Sequence, residues 1–123
     1  MARILLVDDS ALFRLPASRM LLHAGYHVDC AAESEEALRL LESKRPDLIL
    51  LDLMMPGMGG LAFLRRLRAD ERFAALPVVV LSASSDGYQG TEAIALGALA
   101  CLVKGKFSLT ELTARIKQFC AAA

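Results

Sequence analysis

Asp8 and Asp9 follow the run ILLV, Asp52 follows LILL, Ser82 follows VVVL, and Lys104 follows ACLV. These are an acid pair, a third acid, a hydroxyl and an amine, each placed just after a short apolar segment. A carboxylate can attack phosphorus and carry the group as an aspartyl phosphate. Further carboxylates can hold a divalent cation, while a hydroxyl and an ammonium offset the charge on the transferring oxygens. Taken singly, each residue has an ordinary explanation. Asp8 or Asp9 could cap a following helix, Asp52 or Ser82 could open a turn, and Lys104 could be a solvated surface lysine. The same placement after four apolar runs is what those explanations account for poorly.

If the runs are parallel strands of one sheet, all of these groups fall on a single edge and the acids crowd. Two carboxylates ~4 Å apart repel by about 4 kcal/mol at an effective dielectric near 20. A divalent cation, the approach of Lys104 or proton uptake would relieve that repulsion. Mg²⁺ suits such a set, because it takes one or two carboxylates, keeps several waters and completes its shell with phosphate oxygens. One carboxylate then stays available as a nucleophile.

The elements that must position these groups alternate along the chain. Residues 4–7, 27–31, 48–51, 78–81 and 99–103 read as strands, the second being the weakest. Residues 10–24 carry a helical pattern ended by Gly25, and Ser34 can cap a helix with Ala37, Leu38 and Leu41 on one face. Residues 60–69 form a helix with Leu61, Leu64 and Leu67 inward, and residues 91–96 a weak one ended by Gly97. In the last helix Ser108 and Glu111 form a capping box ahead of the stripe Leu109, Leu112, Ile116, Phe119 and Cys120. Five strands alternating with five helices predict an α/β fold: a doubly wound, five-stranded parallel sheet with helices on both faces. The flavodoxin-like strand order 2-1-3-4-5 places the ligand site beyond the carboxyl ends of strands one and three, where the chain direction reverses.

Composition agrees with that architecture. A chain of 123 residues predicts a single domain over residues 1–123, and its 55% hydrophobic content fits strands covered on both faces. Fourteen basic residues balance fourteen acidic ones, so no global charge favours nucleic acid or anionic lipid. No apolar run reaches the ~18–20 residues of a membrane span, and residues 4–7 are too short for a secretion signal, which makes the cytoplasm the expected compartment. Cys30, Cys101 and Cys120 form no CxxC pair and leave an odd thiol, against structural disulfides and a cysteine zinc site. Residues 121–123 read as a frayed helix end or the start of a linker.

The segments ILLVDDS (4–10), PDLILLDLMMPGMGG (46–60), PVVVLSA (77–83) and GALACLVK (97–104) together resemble the receiver domain of bacterial response regulators, the aspartate-phosphorylated half of two-component signalling. The likeness spans nearly the whole chain. It implies that Asp52 is the phosphoacceptor, with Ser82 in the Ser/Thr switch position and Lys104 paired with the phosphoryl group. It implies that Asp9, Asp52 and the backbone carbonyl of Met54 ligate Mg²⁺, with Asp8 acting through bound water. The implied donor is a phosphohistidine on a histidine kinase or histidine phosphotransfer protein, and the reader a downstream effector protein or a C-terminal output domain. The chain would then be a phosphorylation-gated switch acting on itself, not an enzyme with an external product. Two rivals remain: a receiver that only docks without taking phosphate, and an aspartate-nucleophile phosphatase of the haloacid dehalogenase type. The latter needs a DxD pair after strand one, where this chain has Asp8–Asp9–Ser10.

Four features depart from the family pattern. Gly105 follows Lys104 where the family has a proline after a cis bond, so this link is either trans with a re-routed loop or cis and held by tertiary contacts. Lys106 is a reserve for the lysine role. Cys101 occupies the aromatic switch position and is too small to report by a rotamer change. Gly87 and Gly90 predict a fourth helix that is short, late-starting or mobile, with residues 84–92 and Tyr88 as a segment whose ordering reports phosphorylation. Pro16 interrupts the first helix pattern, which either kinks there or starts there; a kink with the acidic pair undisturbed is expected.

Overall fold

Each apolar run forms a strand in the computed structural model, which describes residues 2–55, 57–83 and 88–120. The elements are β1 (Arg3–Val7), α1 (Ala11–His23), β2 (His27–Ala31), α2 (Ser34–Ser43), β3 (Leu48–Asp52), α3 (Gly60–Ala69), β4 (Val78–Ser82), α4 (Tyr88–Ala95), β5 (Ala100–Val103) and α5 (Leu109–Cys120). The strands pair in parallel in the order β2-β1-β3-β4-β5. Every residue of β3 and β4 is buried, which is why these segments are apolar at successive positions and do not alternate.

Two cores result, one on each face. Leu5, Val7, Ile49, Leu51, Val78 and Val80 point towards α2, α3 and α4, where Ala37, Leu41, Phe63, Leu64, Leu67 and Ala93 meet them. The intervening strand residues Ile4, Leu6, Leu48, Leu50, Val79 and Leu81 face Ala17 and Leu21 of α1 and Leu112 and Ile116 of α5. Each such side chain taken from water stabilises the fold by about 1.5–3 kcal/mol, and the period of two along each strand fixes which core receives it.

The register sets the site. Val7 lies beside Leu51, Asp52 beside Leu81, and Ser82 beside Val103. Asp8 is therefore level with Asp52, Ser82 stands one residue further out, and Lys104 one further again. Each step is about 3.3 Å, so the strand ends form a stair at the carboxyl edge.

Several sequence expectations are corrected in detail. Ser10 lies at the N-cap of α1 without a side-chain capping bond, and the helix runs on through Pro16. A start at Pro16 is thereby overturned: the proline gives up only the bond to the Leu12 carbonyl, on a side of the helix where Leu12 is 91% exposed. Ser34 is not the cap of α2. It is the first helical residue, buried, with its hydroxyl donating to the Gly59 carbonyl at 3.4 Å, while Glu33 takes the N-cap position. The N-terminus of α2 is served by Glu36, whose carboxylate accepts the Ala32 N–H at 2.8 Å. Helix α4 spans Tyr88–Ala95 where residues 91–96 were expected, so Gly90 lies inside it. Contacts outweigh that glycine's low helix propensity: Arg65 pairs with Glu92, the Arg68 guanidinium donates to the Leu96 carbonyl at 2.7 Å, and Gly90 packs on the Cys101 thiol. Residues 84–87, part of the segment expected to report phosphorylation, lie outside the described residues, as do residues 121–123. Strands β3 and β4 each extend one residue further, taking in Asp52 and Ser82, and β5 begins at Ala100. The capping box of α5 is as read: the Ser108 N–H donates to Glu111 at 2.9 Å and the Glu111 N–H to the Ser108 hydroxyl at 3.0 Å. Among the described residues no helix is long and apolar enough to cross a membrane.

Candidate functional site

Asp52, the last residue of β3, is 3% exposed, and Asp8, immediately after β1, is fully buried. Asp9 is exposed beside them. One oxygen from each of the three acids lies within 4.8 Å of the others. In an octahedral Mg²⁺ shell with ligands at 2.0–2.1 Å, neighbouring oxygens stand about 2.9 Å apart and opposite ones about 4.2 Å. The spacing here is close to that scale, and the donors are hard oxygens, so the cluster can hold a small divalent cation. Asp9 leaves the approach open to solvent.

Local structure pins the acids in different ways. One Asp8 oxygen accepts the Ser10 N–H at 2.8 Å, and the Asp8 carbonyl accepts from the Arg14 guanidinium at 2.7 Å, so the first turn of α1 grips this residue from both ends. The second Asp8 oxygen is buried without a well-directed hydrogen bond; the Lys104 ammonium beside it, at 2.6 Å, offsets its charge. Asp52 Oδ1 accepts the Met54 N–H at 3.1 Å, and Asp52 Oδ2 faces the same ammonium at 3.5 Å. Burial above all, with the charges of Asp8 and Asp9 adding to it, pushes the Asp52 carboxyl up to about 6 against the lowering effects of the Met54 N–H and Lys104. Three acids around one ammonium leave a surplus of negative charge, which a cation would balance.

Lys104 reaches the acids from two steps further out by its long stem. The Lys104–Gly105 bond is trans, so the re-routed loop is the alternative realised. The Lys106 N–H donates to the Val103 carbonyl at 3.1 Å across a turn in which Gly105 takes φ +86°, the type II geometry that calls for glycine at this place. The Lys104 N–H donates to the Ser82 carbonyl at 2.8 Å, which ties the turn to β4. Lys106 is exposed; the lysine that meets the acids is Lys104. Ser82, 7% exposed, ends β4 on the stair between Asp52 and Lys104. The Met54 side chain is 59% exposed, and its amide is the group that touches Asp52.

Gly60 opens α3 directly behind the site. A Cβ there would lie 2.2 Å from the Asp52 carbonyl oxygen and 2.6 Å from the Leu53 Cα, so only glycine lets the helix start this close to the end of β3. Three residues at the site were not read from the sequence. Phe13 places its ring 4.7 Å from Lys104 Nζ, Phe107 meets that ring edge-on at 6.4 Å, and Arg14 holds the Asp8 carbonyl. An aromatic one helical turn past an acid pair was the available signal.

Comparison with known proteins places this chain in a family. Residues 4–117 match the response regulator receiver domain. The chain is 37% identical over 114 residues to the phosphate regulon transcriptional regulatory protein PhoB of Pseudomonas aeruginosa, covering 93% of this chain and 49% of that protein. It is 40% identical over 117 residues to the response regulator MprA of Mycolicibacterium vanbaalenii, covering 94% of this chain and 48% of the other. The chain thus spans about half the length of these relatives. Among solved structures, the chemotaxis protein CheY4 of Vibrio cholerae superposes with a TM-score of 0.88 at 34% identity, covering 97% of this chain and 98% of that one. The Mn²⁺-bound form of the response regulator Rcp1 superposes with a TM-score of 0.85 at 25% identity, covering 98% and 94%. The protein belongs to the response regulator receiver domains of two-component signalling.

Proposed function

We propose that this domain accepts a phosphoryl group on Asp52 from a phosphohistidine donor and works as a phosphorylation-gated switch. The reading is carried by one observation: three carboxylates meet at the carboxyl edge of the sheet while a single ammonium reaches two of them. A free Asp52 oxygen attacks phosphorus, a P–O bond forms as the donor's P–N bond breaks, and the imidazole leaves with a proton from solvent. Hydrolysis reverses the state: water attacks phosphorus, Asp52 is regenerated and inorganic phosphate departs. The Met54 N–H holds the other carboxylate oxygen, and so aims the attacking one, while Lys104 offsets charge on the phosphoryl oxygens. Ser82, at the neighbouring strand end, supplies a hydroxyl donor to the same oxygens.

Asp9, Asp52 and the Met54 carbonyl are the groups that would hold Mg²⁺, with Asp8 acting through water. When bound, the cation adds positive charge against the transferring phosphoryl group. The structural neighbour Rcp1 binds Mn²⁺, a cation of the same charge and ligand preference, which supports this assignment. The donor is a histidine kinase or a histidine phosphotransfer protein. The reader is an effector protein or an output domain; PhoB, a relative, is a transcriptional regulator about twice as long as the matched region. The chemistry is confined to the domain's own aspartate, so no external product is turned over.

Acetyl phosphate with Mg²⁺, followed by intact-mass analysis, tests the proposal. The expected result is a gain of one phosphoryl mass by the wild type, absent in Asp52→Asn and in EDTA. Equal gain by Asp52→Asn would move the acceptor elsewhere, and no gain by the wild type would favour a domain that only docks.

A further inference from the structure

We infer that Phe13, backed by Phe107, is a positioning residue that holds the Lys104 ammonium between Asp8 and Asp52. The inference rests on the phosphoacceptor reading above and extends it. An ammonium has three N–H donors, and three surroundings meet them here: Asp8 at 2.6 Å, Asp52 at 3.5 Å and the Phe13 ring, its centroid 4.7 Å away. The ring face is electron-rich and attracts a cation, most strongly where water is partly excluded. The Lys104 side chain is only 24% exposed. Phe107 meets Phe13 at an interplanar angle of 89°, an edge-to-face contact that fixes the ring's tilt. The backbone at Lys104 is tied to the Ser82 carbonyl and closed by the Gly105 turn, but those bonds fix the start of the side chain and not the ammonium at the end of its four-carbon stem. The carboxylates do not suffice either, because a cation or a phosphoryl group on the acids changes the charge that Lys104 feels. The ring is the part of its surroundings that stays constant through phosphorylation.

The consequence is kinetic. Without the π face, the ammonium spreads over more orientations and fewer encounters find it aimed at the phosphoryl oxygens. Phe13→Leu, which keeps an apolar side chain, should slow Asp52 phosphorylation by acetyl phosphate about 5- to 30-fold at saturating Mg²⁺, while Phe13→Tyr should restore most of the rate. Mg²⁺ affinity should stay within about twofold, and in a Lys104→Ala background Phe13→Leu should have no further effect. A merely structural role would persist in that background. Equal loss there, or an undiminished rate in Phe13→Leu, overturns the inference. The wild type gives a check that depends neither on a variant's folding nor on phosphorylation. Ring currents should shift its Lys104 ε-methylene protons upfield in NMR, and an ordinary position would overturn the inference even if Asp52 takes phosphate. Failure of the wild type to take phosphate, with the upfield shift present, would instead sink the phosphoacceptor reading alone.

Discussion

Removing the charge on Asp52 should stabilise the metal-free fold, against the usual outcome of changing a buried residue. Burial places the Asp52 carboxyl near 6 in the folded state, above its ordinary 3.8. The folded state therefore binds the proton more tightly than the unfolded chain does. Below the unfolded value both states are protonated and there is no penalty; as pH rises towards 6 the unfolded chain releases its proton first, and stability falls. Above that window the ionised carboxylate costs about 3 kcal/mol, from a shift of roughly two units at 1.36 kcal/mol each. Asp52→Asn cannot ionise, so at pH 8 in EDTA it should be about 2–3 kcal/mol more stable than wild type, and near parity at pH 4. With a urea m-value of about 2 kcal/mol/M, the unfolding midpoint should rise by about 1–1.5 M at pH 8. Adding Mg²⁺ at ten times its dissociation constant should return about 1.4 kcal/mol to the wild type and little to the variant. Parallel wild-type and variant curves from pH 4 to 8 would refute the claim that the acid cluster is held together at a cost.

Two further perturbations address how the site is built. Gly60→Ala should lower stability by about 3 kcal/mol in urea unfolding and weaken Mg²⁺ binding as well, because the new methyl meets the backbone of Asp52 and Leu53, which must move; unchanged metal affinity would show that α3 does not brace the end of β3. Cys101→Phe should cost about 1–3 kcal/mol by the same measurement, because even a methyl added at Gly90 would lie 3.1 Å from the Cys101 thiol and α4 leaves little room for a ring; a neutral effect would mean that α4 yields readily.

The fold was open to reading because its pattern and its physics coincide. Strands buried on both faces must be apolar throughout, and β3 and β4 are both LILL- or VVVL-like and fully covered. Asp52 and Ser82 could be placed because each ends such a run, and a parallel sheet sends all run ends to one edge. The misreadings arose where a distant contact outweighed a local rule. Gly90 argues against a helix by propensity, yet the Arg65–Glu92 pair and the Arg68 bond to Leu96 hold α4 across it. Ser34 has a capping side chain, yet it turns inward to Gly59, twenty-five residues away in the chain. Phe13 shows its place beside the acid pair only through its helical spacing from Asp9, and nothing local points to the lysine it meets, which comes from the other end of the sequence.

The treatment of Lys104 shows how these levels combine. A proline after the lysine would restrict the loop through a covalent ring; here a glycine turn leaves that restriction out. The compensation lies partly in the backbone, where the Lys104 N–H bonds to the Ser82 carbonyl and the Lys106 N–H to Val103, so that the turn is anchored to the edge of the sheet. It lies also in α1, whose first turn presents Phe13 to the ammonium while Ser10 and Arg14 hold Asp8. Both ends of the Asp8–Lys104 pair are therefore set by one helical turn. Pro16 can stand in the middle of α1 without moving the acids for the same reason: the contacts that α1 makes to Asp8 come from Ser10 and Arg14, before the helix reaches the proline.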